Sequence, residues 1–125
     1  MTAKPRILVV EDNPDIQFIY SQILPGRYDI TQVTNTKDAW KAISETEYDL
    51  MILDIILPKG AQGDRFYIQL SQNPEFSQIP VLFVTVINDH VEAETLENIN
   101  NADWLTKPFT EKALLSKIEK MLPKK

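Results

Sequence analysis

The chain has 125 residues, enough for one domain with a real core, and its 43% hydrophobic and 25% charged residues are typical of a globular protein. It has no cysteine, which excludes disulfides, thiolate metal sites and cysteine nucleophiles and is compatible with the cytosol. The net charge of −5 argues against a phosphate-backbone binder, and no apolar run is long enough to span a membrane, so no direct nucleic-acid or membrane partner is expected.

Met1 to Arg6 leads into only four apolar residues and does not read as a signal peptide. Ile7 to Val10 suits a strand buried on both faces, and it ends in two carboxylates, Glu11 and Asp12. Asn13-Pro14-Asp15 then reads as a helix start: a cap, a proline in the first turn and an acid favoured by the helix dipole. Ile16, Ile19, Tyr20, Ile23 and Leu24 follow at helical spacing, and Pro25-Gly26 stops the helix. Tyr28, Ile30 and Val33 alternate loosely as a shorter strand. Thr36 is placed to cap a second helix that buries Ala39, Trp40 and Ile43.

Leu50 to Leu53 is another unbroken apolar run, with Asp54 where the chain should leave the sheet. Gly60 and Gly63 bracket a loop, Phe66, Tyr67 and Leu70 fit a third helix, and Asn73-Pro74 marks a turn. Val81 to Val84 is a fourth strand ending in Thr85. Asp89 to Ile99 is a polar helix anchored by Val91, Leu96 and Ile99, and Asp103 to Leu105 is a short strand. Thr106-Lys107-Pro108-Phe109 follows. Thr110 caps a fifth helix with Leu114, Leu115, Ile118, Met121 and Leu122 inward, and Pro123 ends it.

Strands and helices thus alternate β-α with strands roughly 20 residues apart, which implies a parallel sheet with helices on both faces. In such open sheets ligands bind outside the carboxyl ends of the strands. Glu11, Asp12, Asp54, Thr85 and Lys107 are far apart in sequence, yet that topology brings them to one edge. A lone aspartate after a strand is more often a turn residue, but the convergence makes Asp54 a site residue. Three carboxylates and one lysine suit a hard cation, Mg²⁺ rather than Zn²⁺, since the single histidine, His90, reads as a solvated group on the polar helix. An aspartate beside such an ion can accept a phosphoryl group, with metal and lysine neutralising the transferring oxygens and Thr85 donating a hydrogen bond to the group in place.

These residues resemble the receiver domain of two-component response regulators. The resemblance runs from about Arg6 to Leu122. It rests on Val-Val-Glu11-Asp12-Asn13, Leu-Asp54-Ile-Ile-Leu-Pro58, Thr85 after an apolar strand, and Leu-Thr-Lys107-Pro108-Phe109. It implies a single domain over residues 1–125 with the flavodoxin-like, doubly wound five-stranded parallel sheet, order 2-1-3-4-5. It also implies that Asp54 is the phosphoacceptor, Asp12 a direct Mg²⁺ ligand, Glu11 a ligand mostly through water, and the main-chain carbonyl of Ile56 a further ligand, with Mn²⁺ able to substitute. Lys107 would pair with the carboxylate or phosphoryl oxygens, and the Lys107-Pro108 bond is a candidate cis peptide. Thr85 would move toward the phosphoryl group and Trp104 would rotate into the space left behind. The surface of the fourth helix, fifth strand and fifth helix would then change and meet a downstream protein. The phosphoryl donor would be a sensor histidine kinase or a histidine phosphotransfer protein. A phosphorylation-linked homodimer and a cytoplasmic location go with the same resemblance. The protein would catalyse its own phosphorylation and slow hydrolysis without being a metabolic enzyme.

The sequence also departs from the family. Trp104 stands where tyrosine or phenylalanine is usual, so the rotation is expected to be hindered or altered. The loop Pro58 to Gly63 is one residue longer than usual before its glycine. Ile56 and Ile87, at the positions bordering the path of the attacking water, are bulky and apolar, which implies slow self-dephosphorylation. Asn98 to Asp103 is a residue short, with Asn100-Asn101 where glycine is common. A phosphorylation-independent interaction module is the main alternative, and the complete set Glu11, Asp12, Asp54, Thr85 and Lys107 argues against it. An aspartate-dependent phosphohydrolase would want an acid where Ile56 stands. A flavin or nucleotide carrier would want glycine-rich loops, but the chain has three glycines and neither Gly-x-Gly-x-x-Gly nor a P-loop. Whether the chain acts alone or was cut from a longer one stays open on the sequence.

Overall fold

A computed structural model describes residues 4–53, 69–70, 72–76, 78–85, 102–106 and 109–122. Its five strands are β1 (Arg6–Val10), β2 (Asp29–Val33), β3 (Leu50–Leu53), β4 (Val81–Thr85) and β5 (Ala102–Thr106). All neighbouring pairs are parallel, in the order β2-β1-β3-β4-β5. The doubly wound flavodoxin-like order expected from the sequence is therefore the observed one. Three helices are described end to end: α1 (Pro14–Ile23), α2 (Thr36–Glu45) and α3 (Glu111–Met121), the last being the fifth helix of the sequence reading; Gln69, Leu70 and Gln72 are helical as well.

The apolar runs become central strands because both faces of the sheet are covered. Ile7, Leu8, Val9 and Val10 are fully buried, and so are Leu50, Met51 and Leu53. Side chains alternate across a strand, so each run feeds two cores. Leu8, Val10, Met51, Leu53, Val81 and Phe83 pack on one face with Ala39 and Ile43 of α2 and with Leu70 and Phe76. Ile7, Val9, Leu50, Ile52, Leu82 and Val84 pack on the other with Tyr20 of α1, Leu24 at its C-cap, and Leu114 and Ile118 of α3. Burying one such side chain contributes about 1.5–3 kcal/mol, so a polar residue in the middle of β1 or β3 would be among the most damaging single changes.

The helix ends follow local chemistry. Asn13 caps α1 by accepting from the N–H groups of Asp15 at 2.8 Å and Ile16 at 3.4 Å, with Pro14 at the first helical position. After α1, Gly26 adopts φ 99, the left-handed conformation that lets the chain turn into β2. The cap of α2 is Asn35 rather than Thr36: Asn35 Oδ1 accepts from the Asp38 N–H at 2.8 Å, and Thr36 begins the helix. Thr110 caps α3 as expected, accepting from the Ala113 N–H at 3.0 Å.

Two apolar positions of α1 do not go inward. Ile19 is 39% exposed and Phe18 64%, while Tyr20 and Leu24 are buried. The helix lies on the sheet through Ile16, Tyr20, Ile23 and Leu24, one stripe at i, i+4, i+7 and i+8, and Phe18 and Ile19 fall beside it. Leu70 of the expected third helix is buried, whereas Phe66, Tyr67 and the polar helix Asp89 to Ile99 lie outside the described residues.

Candidate functional site

Register places the strand ends. Val10 pairs with Leu53, Leu53 with Phe83, and Thr85 with Thr106. The residues that leave the sheet at its carboxyl edge therefore follow Val10, Leu53, Thr85 and Thr106. From β1 these are Glu11 and Asp12. Glu11 is 1% exposed, the one buried charged residue among those described, and Asp12 is half-buried. A carboxylate is costly to bury without compensation. Here the Asn13 N–H donates to Glu11 Oε2 at 3.4 Å, and the amino end of α1 begins immediately after the two acids, where the helix dipole favours negative charge.

The backbone around the acids is held from two sides, and one of the two holds is itself braced. The Glu11 N–H donates to the Val33 carbonyl of β2 at 3.0 Å. Gln17 Nε2, one turn into α1, donates to the Glu11 carbonyl at 2.7 Å. Gln32 Nε2, from β2, donates to the Gln17 carbonyl at 3.0 Å. The sequence reading did not single out either glutamine, since a glutamine inside a helix or strand carries no motif.

Two adjacent carboxylates, one buried and one half-buried, form a hard oxygen donor pair of the kind Mg²⁺ takes a few at a time while keeping water ligands. The pair therefore fits that ion. Among the described residues no group of three or more His, Cys, Asp or Glu converges on a point. Asp54, Ile56, Ile87, Lys107 and Pro108 lie outside the described residues. Thr85 is the last residue of β4, and Trp104 sits in β5 in register with Phe83. Beyond β5 the chain is anchored again by Phe109, whose ring stacks on Tyr20 of α1 at 5.8 Å and 20°. Lys117 of α3 pairs with Asp103 of β5 at 2.9 Å.

The family model for the response regulator receiver domain matches residues 7–119. The chain belongs to this receiver family. Its similarity to protein PilH of Pseudomonas aeruginosa is 29% identity over 118 residues, 94% of this chain and 97% of that protein. It is 26% identical over 123 residues to hybrid signal transduction histidine kinase D of Dictyostelium discoideum, covering 98% of this chain but only 8% of the kinase. Among solved structures, the signal receiver domain of a signal transduction histidine kinase from Syntrophus aciditrophicus superposes with a TM-score of 0.80 at 29% identity, covering 94% of this chain and 89% of that one. Receiver domains thus occur both as nearly whole proteins and as small parts of kinases. They serve two-component signalling, in a phosphorylation-dependent role that generally uses Mg²⁺. Among the described residues of this receiver domain, no helix is long and apolar enough to cross a membrane.

Proposed function

We propose that this receiver domain, one folded unit with its core from about Arg6 to Leu122, is a switch that accepts a phosphoryl group on Asp54. The observation that supports this most is the buried Glu11 beside Asp12 at the carboxyl end of β1, in a sheet whose register sets the end of β3 next to it. A carboxylate oxygen of Asp54 attacks the phosphorus of a phosphohistidine on a sensor kinase or phosphotransfer protein. The new O–P bond forms as the P–N bond breaks, and the departing imidazole takes up a proton. Asp12 would hold Mg²⁺, or Mn²⁺ in its place, directly, Glu11 mostly through water, and the Ile56 main-chain carbonyl would complete the protein's share; the ion would supply charge neutralisation at the transferring oxygens.

Lys107 pairs with the phosphoryl oxygens, on a segment followed by the Phe109 anchor, with Pro108 as a cis candidate. Thr85 donates to the phosphoryl group and Trp104 responds one strand away. Ile56 and Ile87 bar the attacking water, so hydrolysis is slow. The change is read by a downstream protein on the surface formed by β5, α3 and the segment Asp89 to Ile99, expected from the sequence to be the fourth helix, or by a second copy of the chain, in the cytoplasm.

The test is intact mass after incubation with acetyl phosphate, with and without Mg²⁺, alongside Asp54→Asn. A single phosphoryl adduct, absent in the variant and without the ion, is the expected result. No adduct, where a control receiver is labelled, would replace this reading with a phosphorylation-independent interaction module.

A further inference from the structure

The peptide group between Glu11 and Asp12 decides how the two carboxylates face one another. Its carbonyl belongs to Glu11 and its N–H to Asp12. Rotation of that one plane swings Asp12 relative to the buried Glu11 side chain. The preceding peptide is already fixed, because the Glu11 N–H is bound to the Val33 carbonyl at 3.0 Å. The plane between the acids is held by a side chain, the Gln17 amide at 2.7 Å. Gln17 is in turn braced, since Gln32 Nε2 donates to its carbonyl at 3.0 Å from the neighbouring strand. Both acceptors are carbonyl oxygens, so each amide must present its nitrogen, and the orientation of both groups is settled by chemistry.

We infer that Gln17 is a positioning residue for the acid pair: its side-chain amide pins the Glu11–Asp12 peptide and so presets the two carboxylates for a divalent cation. The inference rests on the proposed role of Glu11 and Asp12 as the metal-binding acids. Groups that orient metal ligands without touching the metal typically change affinity about 10–100-fold when removed. A single neutral hydrogen bond to one peptide belongs at the low end of that range. Gln32 acts one step further out, through the placement of α1, and its removal should weaken binding less.

The experiment is a calorimetric titration of the unphosphorylated protein with MgCl2, comparing wild type with Gln17→Met and Gln17→Glu. Methionine keeps the length and loses the donor. Glutamate keeps size and polarity, loses the donor and adds negative charge. Both are expected to weaken Mg²⁺ binding by about 10-fold. A mere electrostatic influence would instead make Gln17→Glu bind more tightly. A merely structural one would lower the melting temperature in EDTA in proportion to the lost affinity. A second readout needs no metal: the Asp12 amide resonance in ¹H–¹⁵N spectra of the apo protein should move in both variants, because the carbonyl of its own peptide loses its donor. Unchanged affinity in Gln17→Met, or tighter binding in Gln17→Glu, overturns the inference while leaving the acid pair as the metal site. A wild-type protein that binds no Mg²⁺ overturns the metal reading of the site, and this inference with it.

Discussion

Asp49 and Glu11 flank the same pair of strands, Asp49 at their amino ends and Glu11 at their carboxyl ends. Asp49 Oδ2 accepts from the Arg6 main-chain N–H at 2.8 Å, and the Asp49 N–H donates to the Arg6 carbonyl, also at 2.8 Å. The carboxylate continues the β1–β3 ladder one residue beyond its start. Glu11 is far more deeply buried, at 1% exposure, and sits with Asp12 against the start of α1. At the amino edge strands begin and an acid can finish their hydrogen bonding. At the carboxyl edge the chain turns outward on both sides of the sheet, leaving a crevice where acids from separate strands can meet.

Three substitutions test the contrast, beginning with the largest effect. Asp12→Ala should reduce Mg²⁺ affinity by about 100-fold or more, beyond the range for groups that only orient ligands. Urea unfolding in EDTA should change by no more than about 0.5 kcal/mol, as for a partly exposed surface group. If affinity survives, the carboxyl-edge acids are structural like Asp49. Asp49→Ala should do the reverse, costing about 1 kcal/mol in urea unfolding with no change in Mg²⁺ affinity.

The smallest effect lies at the amino edge, where Tyr28 follows the Gly26 turn. Burial, and secondarily the nearby Glu119, raise the phenol above its ordinary value of 10.0, while Arg27 pulls the other way. The folded state therefore holds this proton more tightly than the unfolded chain. The stabilisation is fully present below about pH 10 and is lost as pH rises through the higher folded value. Tyr28→Phe should flatten the alkaline fall of the urea midpoint, and an identical fall in both proteins would show that Tyr28 is not its source.

The central strands were legible in the sequence because burial on both faces leaves an unbroken apolar run, as in Ile7–Val10 and Leu50–Leu53. Edge strands read more faintly. β2 is only partly buried, and β5 extends over Ala102–Thr106 where Asp103–Leu105 was expected. The cap of α2 was misplaced by one residue because Asn35 and Thr36 are both competent caps, and the choice depends on which backbone turns first. Ile19 was read with the inward stripe because periodicity cannot tell the rim of a helix face from its centre. The place of Glu11 and Asp12 at the carboxyl end of β1 was legible because they directly follow its apolar run. Gln17 and Gln32 were not, because their partners are main-chain carbonyls and any sequence offers those. The expectations at Asp54, Ile56, Ile87, Lys107 and Pro108 fall outside the described residues.

The position of β1 between β2 and β3 has a consequence for synthesis. β1 leaves the ribosome before either neighbour, with four residues that end fully buried. Arg6 and Asp49 are 43 residues apart, so at roughly 10 residues per second about 4 s pass before β3 emerges to cover the second edge. During that interval the apolar run Ile7–Val10 has at most one partner strand and is open to capture by a chaperone or another nascent chain. A ribosome-stalled chain that ends before Leu50 should be cut readily by protease within β1, and one that has released Leu53 should resist.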